Sequence, residues 1–525
     1  MAKWTRPVSP AIPKDADLIL VDGAIHTMDP AKPRARGIAI GGGRILAVGT
    51  NAQAERWAGK KTEVVELGGK VVVPGFIDAH AHLMESAARV GNVNLGACAS
   101  IESAVAAIRG RAATAKAGEW VIADDWDESR WPERRYLTGR DLDRASAAMP
   151  IVAVRVDRHM AAVNSAALAL LRIPPGTRGF DTDRAGHGTG VLKEDALKRM
   201  WDLVWPTPER LAENFRRVSR RALSLGITSV HDIVGEDEIR AYQIARKRGR
   251  LSLRAYLLAR DPLLPHLAGA GLSRGFGDEW LRLGAVKVFG DGSLGARTAA
   301  LFEPYTDDPA EGGMLIHPPR ELRDLLAGIH GAGFQAAVHA IGDRAIQLVL
   351  ETIEAVAPEP GPRHRIEHAE LLHPEHVERM ARLGVVAVCQ PNFIGQWSLP
   401  GGMYERRLGF ERTAGNNPYR EILEGNVTLA FGSDGMPYGP LEGIHWAVNA
   451  PFGIQRLTVD QAFAAYTAGG AMAGFEEGEK GSLTIGKLGD AVVLDGDPWR
   501  EPERIREMGV AIAVVDGRRS ALTTT

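Results

Sequence analysis

Cysteine is scarce in this 525-residue chain, and long apolar runs and an excess of charge are both missing. The two cysteines, Cys98 and Cys389, lie far apart in sequence, which argues against a disulfide framework and favours a reducing compartment. The formal net charge of −2 gives no bias toward nucleic acid or membranes, so neither is expected as a partner. No run is long enough to span a bilayer, and the first residues lack the apolar core of a signal peptide. We therefore expect a cytoplasmic protein.

The composition that is present is that of a soluble globular protein. Hydrophobic residues make up 45% of the chain and charged residues 24%. This length is sufficient for two or three domains with a large core. Sixty glycines and thirty prolines indicate many turns between short elements.

Short apolar runs separated by glycine turns occur at both ends of the chain. They are residues 18–21, 24–28, 37–40, 44–48, 63–67, 491–494 and 510–515. The first two runs are predicted to pair as one hairpin, and the next two as a second hairpin. Because no helix interrupts them, we predict a small all-β domain built from residues 16–73 and 476–525.

Between these ends, strands alternate with helical patterns such as 344–356 and 374–383, which predicts a parallel sheet. The predicted strands are 71–82, 227–232, 253–258, 283–289, 335–339, 365–368, 385–389 and 427–434. Eight such units predict an α/β fold of the (β/α)8 TIM-barrel type, formed by residues 74–95 and 226–475. In this fold, catalytic residues lie at the carboxyl ends of the strands.

The segment between the first two barrel strands is far longer than one helix requires. It contains its own helical patterns, at 101–117 and 207–225, and strand patterns, at 120–123 and 151–155. We interpret residues 96–225 as an inserted α/β subdomain over the barrel mouth, where loops build the pocket.

The first barrel strand ends in His80-Ala81-His82. Residues two apart on a strand point to one face, so both imidazoles can reach a single metal ion. In a chain with 15 histidines, chance supplies roughly 0.4 such pairs. On this signal alone, two structural histidines at a strand end remain an alternative.

Other predicted strand ends strengthen the metal hypothesis. The residues at or near these ends are His80, His82, Lys287, His339, His368 and Asp434. In a closed barrel their side chains would converge at one mouth. Four histidines and one carboxylate suit Zn²⁺ or a similar divalent ion.

Lys287 is unusual because it lies within an otherwise apolar strand. Burial disfavours its charged form, and a neutral amine can take up CO₂ to give a carbamate that bridges two metal ions. Two ions would then lie roughly 3.5–4 Å apart, and without the carbamate one ion is expected. The alternative is a lysine that reaches water or pairs with Asp291.

Several stretches together resemble the amidohydrolase superfamily, and within it the YtcJ-like (amidohydrolase 3) branch that includes N-substituted formamide deformylase. They are PGFIDAHAHL (74–83), GAVKVFGDGS (284–293), VHAIGDRAI (338–346), RIEHAELL (365–372), FGSDGMP (431–437) and KGSLTIGKLGDAVVLDGDP (480–498). The last stretch resembles the family's return to its β-sandwich domain.

This resemblance implies a metal-dependent hydrolase of C–N bonds. Its ligand sets would be His80, His82 and Asp434 on one ion and His339 and His368 on the other. N6-carboxylated Lys287 would bridge the two ions.

The expected mechanism uses a water activated to hydroxide by the metal. Asp434 would accept its proton as general base and return it to the leaving amine as general acid. His231 and His159 are candidates for stabilising the developing oxyanion, although a lone histidine is more often a structural hydrogen-bonding group. Asp78 is expected to orient His80 or His82 through a hydrogen bond.

The expected partner is a small-molecule amide, and the oligomeric state stays open, with a homodimer as one candidate. Candidate substrate contacts are Trp126, Arg130, Trp131, Arg297, Tyr438 and Trp446, any of which could instead serve packing.

Two other functions are weighed against the hydrolase. A mononuclear ring deaminase of the same superfamily usually carries a glutamate three residues after the fifth-strand histidine, where this chain has Gly342. A non-catalytic scaffold on the same fold typically loses metal ligands, whereas this chain keeps them. A nucleotide site has little support, because Gly41-Gly42-Gly43 lacks phosphate-loop spacing.

Overall fold

A computed structural model of the protein describes residues 13–520 except 117, 129–130, 157, 159, 175 and 184. The chain divides into two compact units, the first containing Met1–Glu85 with Phe215–Thr525 and the second containing Ser86–Asn214. The insertion predicted at 96–225 overlaps the second unit but begins and ends later, and the three-domain division stays a prediction. In the described parts of the chain, no helix combines the length and apolar character needed to cross a bilayer.

The described strands belong to four sheets. In chain order they are β1 (Leu18–Val21), β2 (Ala24–His26), β3 (Arg34–Ala35), β4 (Gly37–Gly41), β5 (Arg44–Gly49), β6 (Glu63–Glu66), β7 (Val71–Pro74), β8 (Phe76–Ala81), β9 (Val93–Asn94), β10 (Val121–Trp126), β11 (Ile151–Arg155), β12 (Met160–Val163), β13 (Phe180–Thr182), β14 (Gly188–Lys193), β15 (Ile227–Val234), β16 (Arg254–Arg260), β17 (Leu281–Phe289), β18 (Gln335–Ala340), β19 (Arg365–His368), β20 (Val386–Cys389), β21 (Leu429–Phe431), β22 (Ala491–Leu494), β23 (Val510–Val515) and β24 (Arg518–Arg519).

The helices connect these strands. In chain order they are α1 (Asn51–Glu55), α2 (Leu83–Ala88), α3 (Ile101–Ala112), α4 (Gly139–Asp143), α5 (Ser165–Leu171), α6 (Glu194–Val204), α7 (Pro208–Ser224), α8 (Glu236–Lys247), α9 (Leu264–Gly269), α10 (Pro319–Gly331), α11 (Asp343–Val356), α12 (Pro374–Leu383), α13 (Met403–Gly415), α14 (Tyr419–Glu424), α15 (Pro440–Val448), α16 (Val459–Ala464) and α17 (Gly470–Ala473). Ile394–Ser398 and Ala465–Gly469 are short π-helical segments.

Eight parallel strands form a nearly closed barrel in the order β8, β15, β16, β17, β18, β19, β20, β21. Most of their residues are buried whichever way the side chain points, which explains near-continuous apolar runs without alternation. Between the last and first strands, the backbone N–H of Asp434 donates to the carbonyl of His80 at 2.8 Å. Seven of the eight predicted barrel strands are confirmed, as are helices α11 and α12, whereas only part of the first predicted strand lies in the barrel.

The first unit has two further sheets, one built from N-terminal strands alone and one that combines strands from both ends of the chain. Their orders are β5-β4-β1-β6 and β24-β23-β22-β7-β2-β3. One apolar cluster contains side chains from both sheets, among them Leu18, Ile25 and Val493. The two ends of the chain are therefore joined by a shared core.

One of the two predicted hairpins is present and the other is wrong. Strands β4 and β5 pair in antiparallel fashion, as predicted for 37–40 and 44–48. Strands β1 and β2 do not pair with each other, because β1 lies between β4 and β6 while β2 lies between β3 and β7. The chain turns at Asp22, where φ is 55°, and passes from one sheet into the other.

The second unit is built on a six-stranded sheet with the order β13-β14-β12-β11-β10-β9. Alternate residues of β11 belong to different apolar clusters, because successive side chains on a strand point to opposite faces. Ile151 and Ala153 lie in one cluster, and Val152 and Val154 lie in the other. The sheet therefore has an apolar core on each face.

The predicted first barrel strand, 71–82, is two strands in two different sheets. β7 pairs with β2 and β22, whereas β8 pairs with β15 in the barrel. At the junction, the N–H of Gly75 donates to the carbonyl of Asp490 at 3.0 Å. A Cβ on Gly75 would lie 2.1 Å from Oγ1 of Thr228. Glycine fits here because the Thr228 side chain of β15 occupies the space that a Cβ would need.

Gly75→Ala is expected to lower thermal stability by about 1–3 kcal/mol, because the added methyl group collides with the Thr228 side chain. Calorimetry of the variant measures this loss. Gly331→Ala is the matched control, since a Cβ at that helical position meets nothing within 4 Å. It should leave stability unchanged or raise it by up to about 1 kcal/mol. Equal melting temperatures for the two variants would contradict the steric explanation.

Candidate metal centre

Asp434 and the two histidines of the first barrel strand converge at the carboxyl end of the barrel. Oδ1 of Asp434 lies 3.0 Å from Nε2 of His82 and 3.5 Å from Nε2 of His80. His80 lies in β8 and His82 directly follows it, with ring centroids 5.9 Å apart. The backbone at Asp434 has a φ of 55°, which aspartate adopts more readily than most residues.

Two further histidines adjoin this group. The ring centroid of His368 is 4.8 Å from that of His80 and 4.4 Å from that of His339. His80, His368 and Asp434 each offer one ligand atom, and these atoms lie within 4.8 Å of one another. This three-donor group combines members of both ligand sets that the family resemblance implies.

The protonation states of these donors suit a cation. Burial lowers the pKa of His80, His339 and His368, that of His339 to about 3, and nearby positive charge adds to the effect. Burial alone would raise the pKa of Asp434, but its hydrogen bond to His82 and nearby positive charge outweigh burial and hold it below the ordinary value. Neutral imidazoles beside an ionised carboxylate are the forms that bind divalent metals.

His82 differs from the other histidines. Burial alone would lower its pKa, but hydrogen bonds to Asp434 and Glu85 outweigh burial and raise the pKa to about 10. A metal ion bound at His82 would therefore displace a proton that His82 shares with these carboxylates.

Lys287 lies among the predicted ligands and is almost fully buried. Burial lowers the pKa of its ammonium to about 8 despite the neighbouring carboxylates Glu367 and Asp434. Its Nζ lies 5.0 Å from the ring centroid of Phe289. Asp291, the alternative partner, accepts backbone N–H bonds of 2.9–3.1 Å from residues 300, 341 and 342.

A buried carboxylate that sequence reasoning missed holds His80. Oε2 of Glu367 lies 2.6 Å from Nδ1 of His80. Nε of Arg365 donates to Oε1 of Glu367 at 2.7 Å, and one terminal nitrogen donates to Oε2 at 3.1 Å. Burial alone would raise the pKa of Glu367, but the Arg365 guanidinium and the His80 hydrogen bond keep it well below the usual range. The carboxylate is therefore ionised.

His231 and Asp78, both predicted to assist the site, contact groups other than the ligand imidazoles. Nδ1 of His231 faces the Arg365 guanidinium at 3.0 Å inside the barrel, and its ring packs 4.8 Å from that of Tyr256. Asp78 accepts hydrogen bonds from the backbone and side chain of Ser433 at 2.9 and 2.5 Å, and from the backbone N–H of His80 at 3.3 Å. Asp78 therefore holds the backbone of His80, whereas Glu367 holds its imidazole.

The segment after His82 is also fixed from the second barrel strand. The carboxylate of Asp232, in β15, accepts the backbone N–H groups of Leu83 and Met84 at 2.6 and 3.0 Å. It also accepts the hydroxyl of Tyr242 at 2.7 Å. Asp232 thus satisfies two free N–H groups at the start of α2 and fixes the chain beside His82.

The predicted substrate contacts are dispersed. Trp126 and Trp131 are buried in an apolar core of the second unit, where their indole N–H groups donate to the carbonyls of Ala153 and Cys98 at 2.9 and 2.7 Å. These bonds give both tryptophans a structural role, and a substrate contact stays a prediction. His159 and Arg130 lie outside the described residues.

The remaining candidates lie in the first unit. Arg297 is held by Asp307 through two hydrogen bonds of 3.0 and 2.9 Å. Trp446 donates its indole N–H to Glu442 at 2.7 Å. Tyr438 lies at the candidate metal centre, where its hydroxyl accepts the backbone N–H of His82 at 3.2 Å.

Sequence reasoning also missed an exposed aromatic side chain beside His339. Phe289 ends β17, is 43% exposed, and has its ring 5.3 Å from that of His339. The available signal was its spacing from Lys287, because residues two apart on a strand share a face. For Glu367, the signal was its position immediately before a predicted ligand.

Comparison with known proteins identifies the family of this chain. Residues 63–521 match the amidohydrolase family. The chain is 30% identical to the putative amidohydrolase YtcJ of Bacillus subtilis, over 94% of this chain and 98% of that protein. It is 28% identical to the N-substituted formamide deformylase of Arthrobacter pascens, over 95% of this chain and 97% of that protein.

A solved structure matches over nearly the whole length. A metal-dependent hydrolase of Pyrococcus furiosus superposes with a TM-score of 0.79 at 30% sequence identity. The match covers 92% of this chain and 99% of that chain.

Asp232→Ala is expected to loosen the segment beside His82, lowering stability by about 1 kcal/mol and Zn²⁺ affinity about 10-fold. Chelator competition and calorimetry measure the two effects. Ser100→Ala is the matched control, because Ser100 accepts the N–H of Ser103 at 3.2 Å at the start of α3. It should reduce stability without changing affinity. Unchanged Zn²⁺ affinity in Asp232→Ala would refute the positioning role.

Proposed function

The chain belongs to the amidohydrolase family of metal-dependent hydrolases acting on C–N bonds, and we propose that it hydrolyses a small N-substituted amide or formamide. The observation that carries this proposal is the three-donor group of His80, His368 and Asp434, whose ligand atoms lie within 4.8 Å of one another. A scaffold that had lost its chemistry would have no need of three donors converging in this way.

We propose Zn²⁺ as the resident ion, because histidine nitrogens and a carboxylate suit it. His80, His368 and Asp434 would hold one ion, with His82 and His339 completing the site. Such an ion supplies a lowered pKa for water and polarises a carbonyl group. A second ion requires a carbamate on Lys287, whose lowered pKa of about 8 supports that modification.

Asp434 is proposed to move the proton. Its carboxylate is ionised and lies at the centre of the site, so it can accept a proton from the attacking water. The same carboxyl group can then donate that proton to the leaving nitrogen. Glu367 is unsuited to this role, because both of its oxygens are engaged by Arg365 and His80.

An apolar substituent on the substrate is supported by the exposed face of Phe289 beside His339. Tyr438 provides a hydroxyl next to His82. The formamide part of the proposal follows the relative from Arthrobacter pascens, whose name states an N-substituted formamide deformylase. An oxyanion role for His159 stays a prediction, and the position of His231 against Arg365 does not favour one.

The ring-deaminase alternative is disfavoured at Gly342. A Cβ there would lie 2.0 Å from the carbonyl oxygen of Ala300. No glutamate can therefore occupy this position without moving the backbone of the neighbouring loop.

The proposed function is tested with a panel of amides and formamides that carry apolar or charged N-substituents. The Zn²⁺-loaded enzyme is expected to prefer apolar members, to lose activity on chelation and to regain it on metal add-back. Asp434→Asn should lower kcat/KM by about 10²–10⁴-fold, because it removes the proton carrier.

Asp278→Asn controls for loss of a carboxylate, since Asp278 pairs with Arg246 at the surface. Absence of hydrolysis across the panel in the Zn²⁺-loaded enzyme would rule out the proposed substrate class. Full activity in Asp434→Asn would rule out its proton-transfer role.

The proposed carbamate predicts a dependence on bicarbonate. Because burial lowers the pKa of Lys287 to about 8, more of its amine is neutral at pH 7 than for an ordinary lysine, and the neutral fraction rises with pH. Added bicarbonate should therefore increase metal loading at pH 7, with a smaller gain at pH 9. Lys287→Met should abolish the gain, whereas Lys480→Met, which removes another buried lysine, should retain it. The metal content of the protein is measured after dialysis. A metal content that does not change with added bicarbonate would contradict the carbamate.

A further inference from the structure

Three polar side chains in the barrel interior have no role in the proposed proton transfer. His231, Arg365 and Glu367 are each 0% exposed. Burying an arginine, a carboxylate and an imidazole is costly unless each is paired. We infer that His231 and Arg365 are positioning residues that hold Glu367 against His80 and thereby set the affinity of the candidate metal centre. This inference rests on the proposed metal site.

The first step is the orientation of His80. Both oxygens of Glu367 accept hydrogen bonds from the Arg365 guanidinium, as a carboxylate does, so the proton in the 2.6 Å contact belongs to Nδ1 of His80. The lone pair of His80 is therefore on Nε2, the nitrogen that lies 3.5 Å from Asp434. A carboxylate behind a histidine in this way fixes the tautomer and increases the basicity of the ligating nitrogen.

The second step is the immobilisation of Glu367. Arg365 grips both of its oxygens, at 2.7 and 3.1 Å. The same guanidinium donates to the carbonyl of Ala79 at 2.6 Å, one residue before His80. Arg365 thus ties the carboxylate to the strand that carries the histidine.

The third step is His231. A guanidinium has no acceptor, so the remaining terminal nitrogen of Arg365 donates to Nδ1 of His231 at 3.0 Å. This bond places the proton of His231 on Nε2. Tyr256 packs against the ring, which fixes the acceptor. Each nitrogen of Arg365 then has a defined acceptor, and the guanidinium has one orientation.

The chain offers a matched control for loss of a buried arginine. Arg254 is 1% exposed and grips Asp490 at 2.7 and 3.0 Å. Neither Arg254 nor Asp490 hydrogen-bonds any of the candidate ligands in the described part of the chain. Removing either arginine leaves a buried carboxylate without its cationic partner. Only Arg365 binds the carboxylate that contacts His80.

The experiment compares Zn²⁺ dissociation constants, measured by chelator competition on the metal-free full-length protein, for Arg365→Met and Arg254→Met. We expect Arg365→Met to weaken Zn²⁺ binding by about 10–100-fold, while Arg254→Met retains wild-type affinity. Both variants should lose thermal stability, so stability alone does not distinguish them. Equal affinities in the two variants would overturn the inference.

A second pair of variants keeps the test decisive if Arg365→Met does not fold. His231→Leu removes the acceptor for Arg365 and should weaken Zn²⁺ binding by about 10-fold. His231→Asn keeps an oxygen acceptor near the position of Nδ1 and should restore most of the affinity. Identical Zn²⁺ affinity in His231→Leu and the wild type would overturn the inference.

The outcomes separate this inference from the proposed function. A wild-type protein that binds no Zn²⁺ contradicts the metal site itself and this inference with it. The positioning role alone is contradicted if the wild type binds Zn²⁺ and hydrolyses amides while His231→Leu and Arg365→Met bind Zn²⁺ as tightly as the wild type.

Discussion

The approach of the last barrel strand to the first is the constraint on which the candidate metal centre depends. The N–H of Asp434 bonds to the carbonyl of His80, and a Cβ on Gly432 would lie 2.3 Å from the backbone nitrogen of His80. Glycine at 432 lets the two strands meet closely enough for the Asp434 carboxylate to reach both imidazoles of the first strand. Residues separated by most of the chain become neighbours because the barrel closes there.

The barrel itself could be predicted from sequence, because each strand is an apolar run and each polar residue at its end is conspicuous. The exact directions of the side chains could not. Arg365 and Glu367 share a face of β19, and regular alternation would place His368 on the opposite face. A φ of 73° at His368 breaks this alternation at the strand end, beside His80 and His339. No sequence pattern predicts the positive φ at His368.

The supporting residues were missed for a different reason. Glu367 and Asp232 act on segments that are distant in sequence, so their partners are known only once the strands are neighbours. The error at β1 and β2 is of the same kind, since an aspartate–glycine turn is compatible with a hairpin or with a crossing between sheets. Local pattern identified the elements, and long-range pairing decided what each polar group contacts.

The crossing of the chain at Gly75 has a consequence for synthesis on the ribosome. Strand β7 takes one neighbour, β22, from Ala491–Leu494, more than four hundred residues later. Until β22 has been synthesised, β7 lacks its partner on one edge. An unpaired strand edge can pair with the wrong strand or chain. This edge is therefore protected only once β22 has been synthesised and has paired with β7.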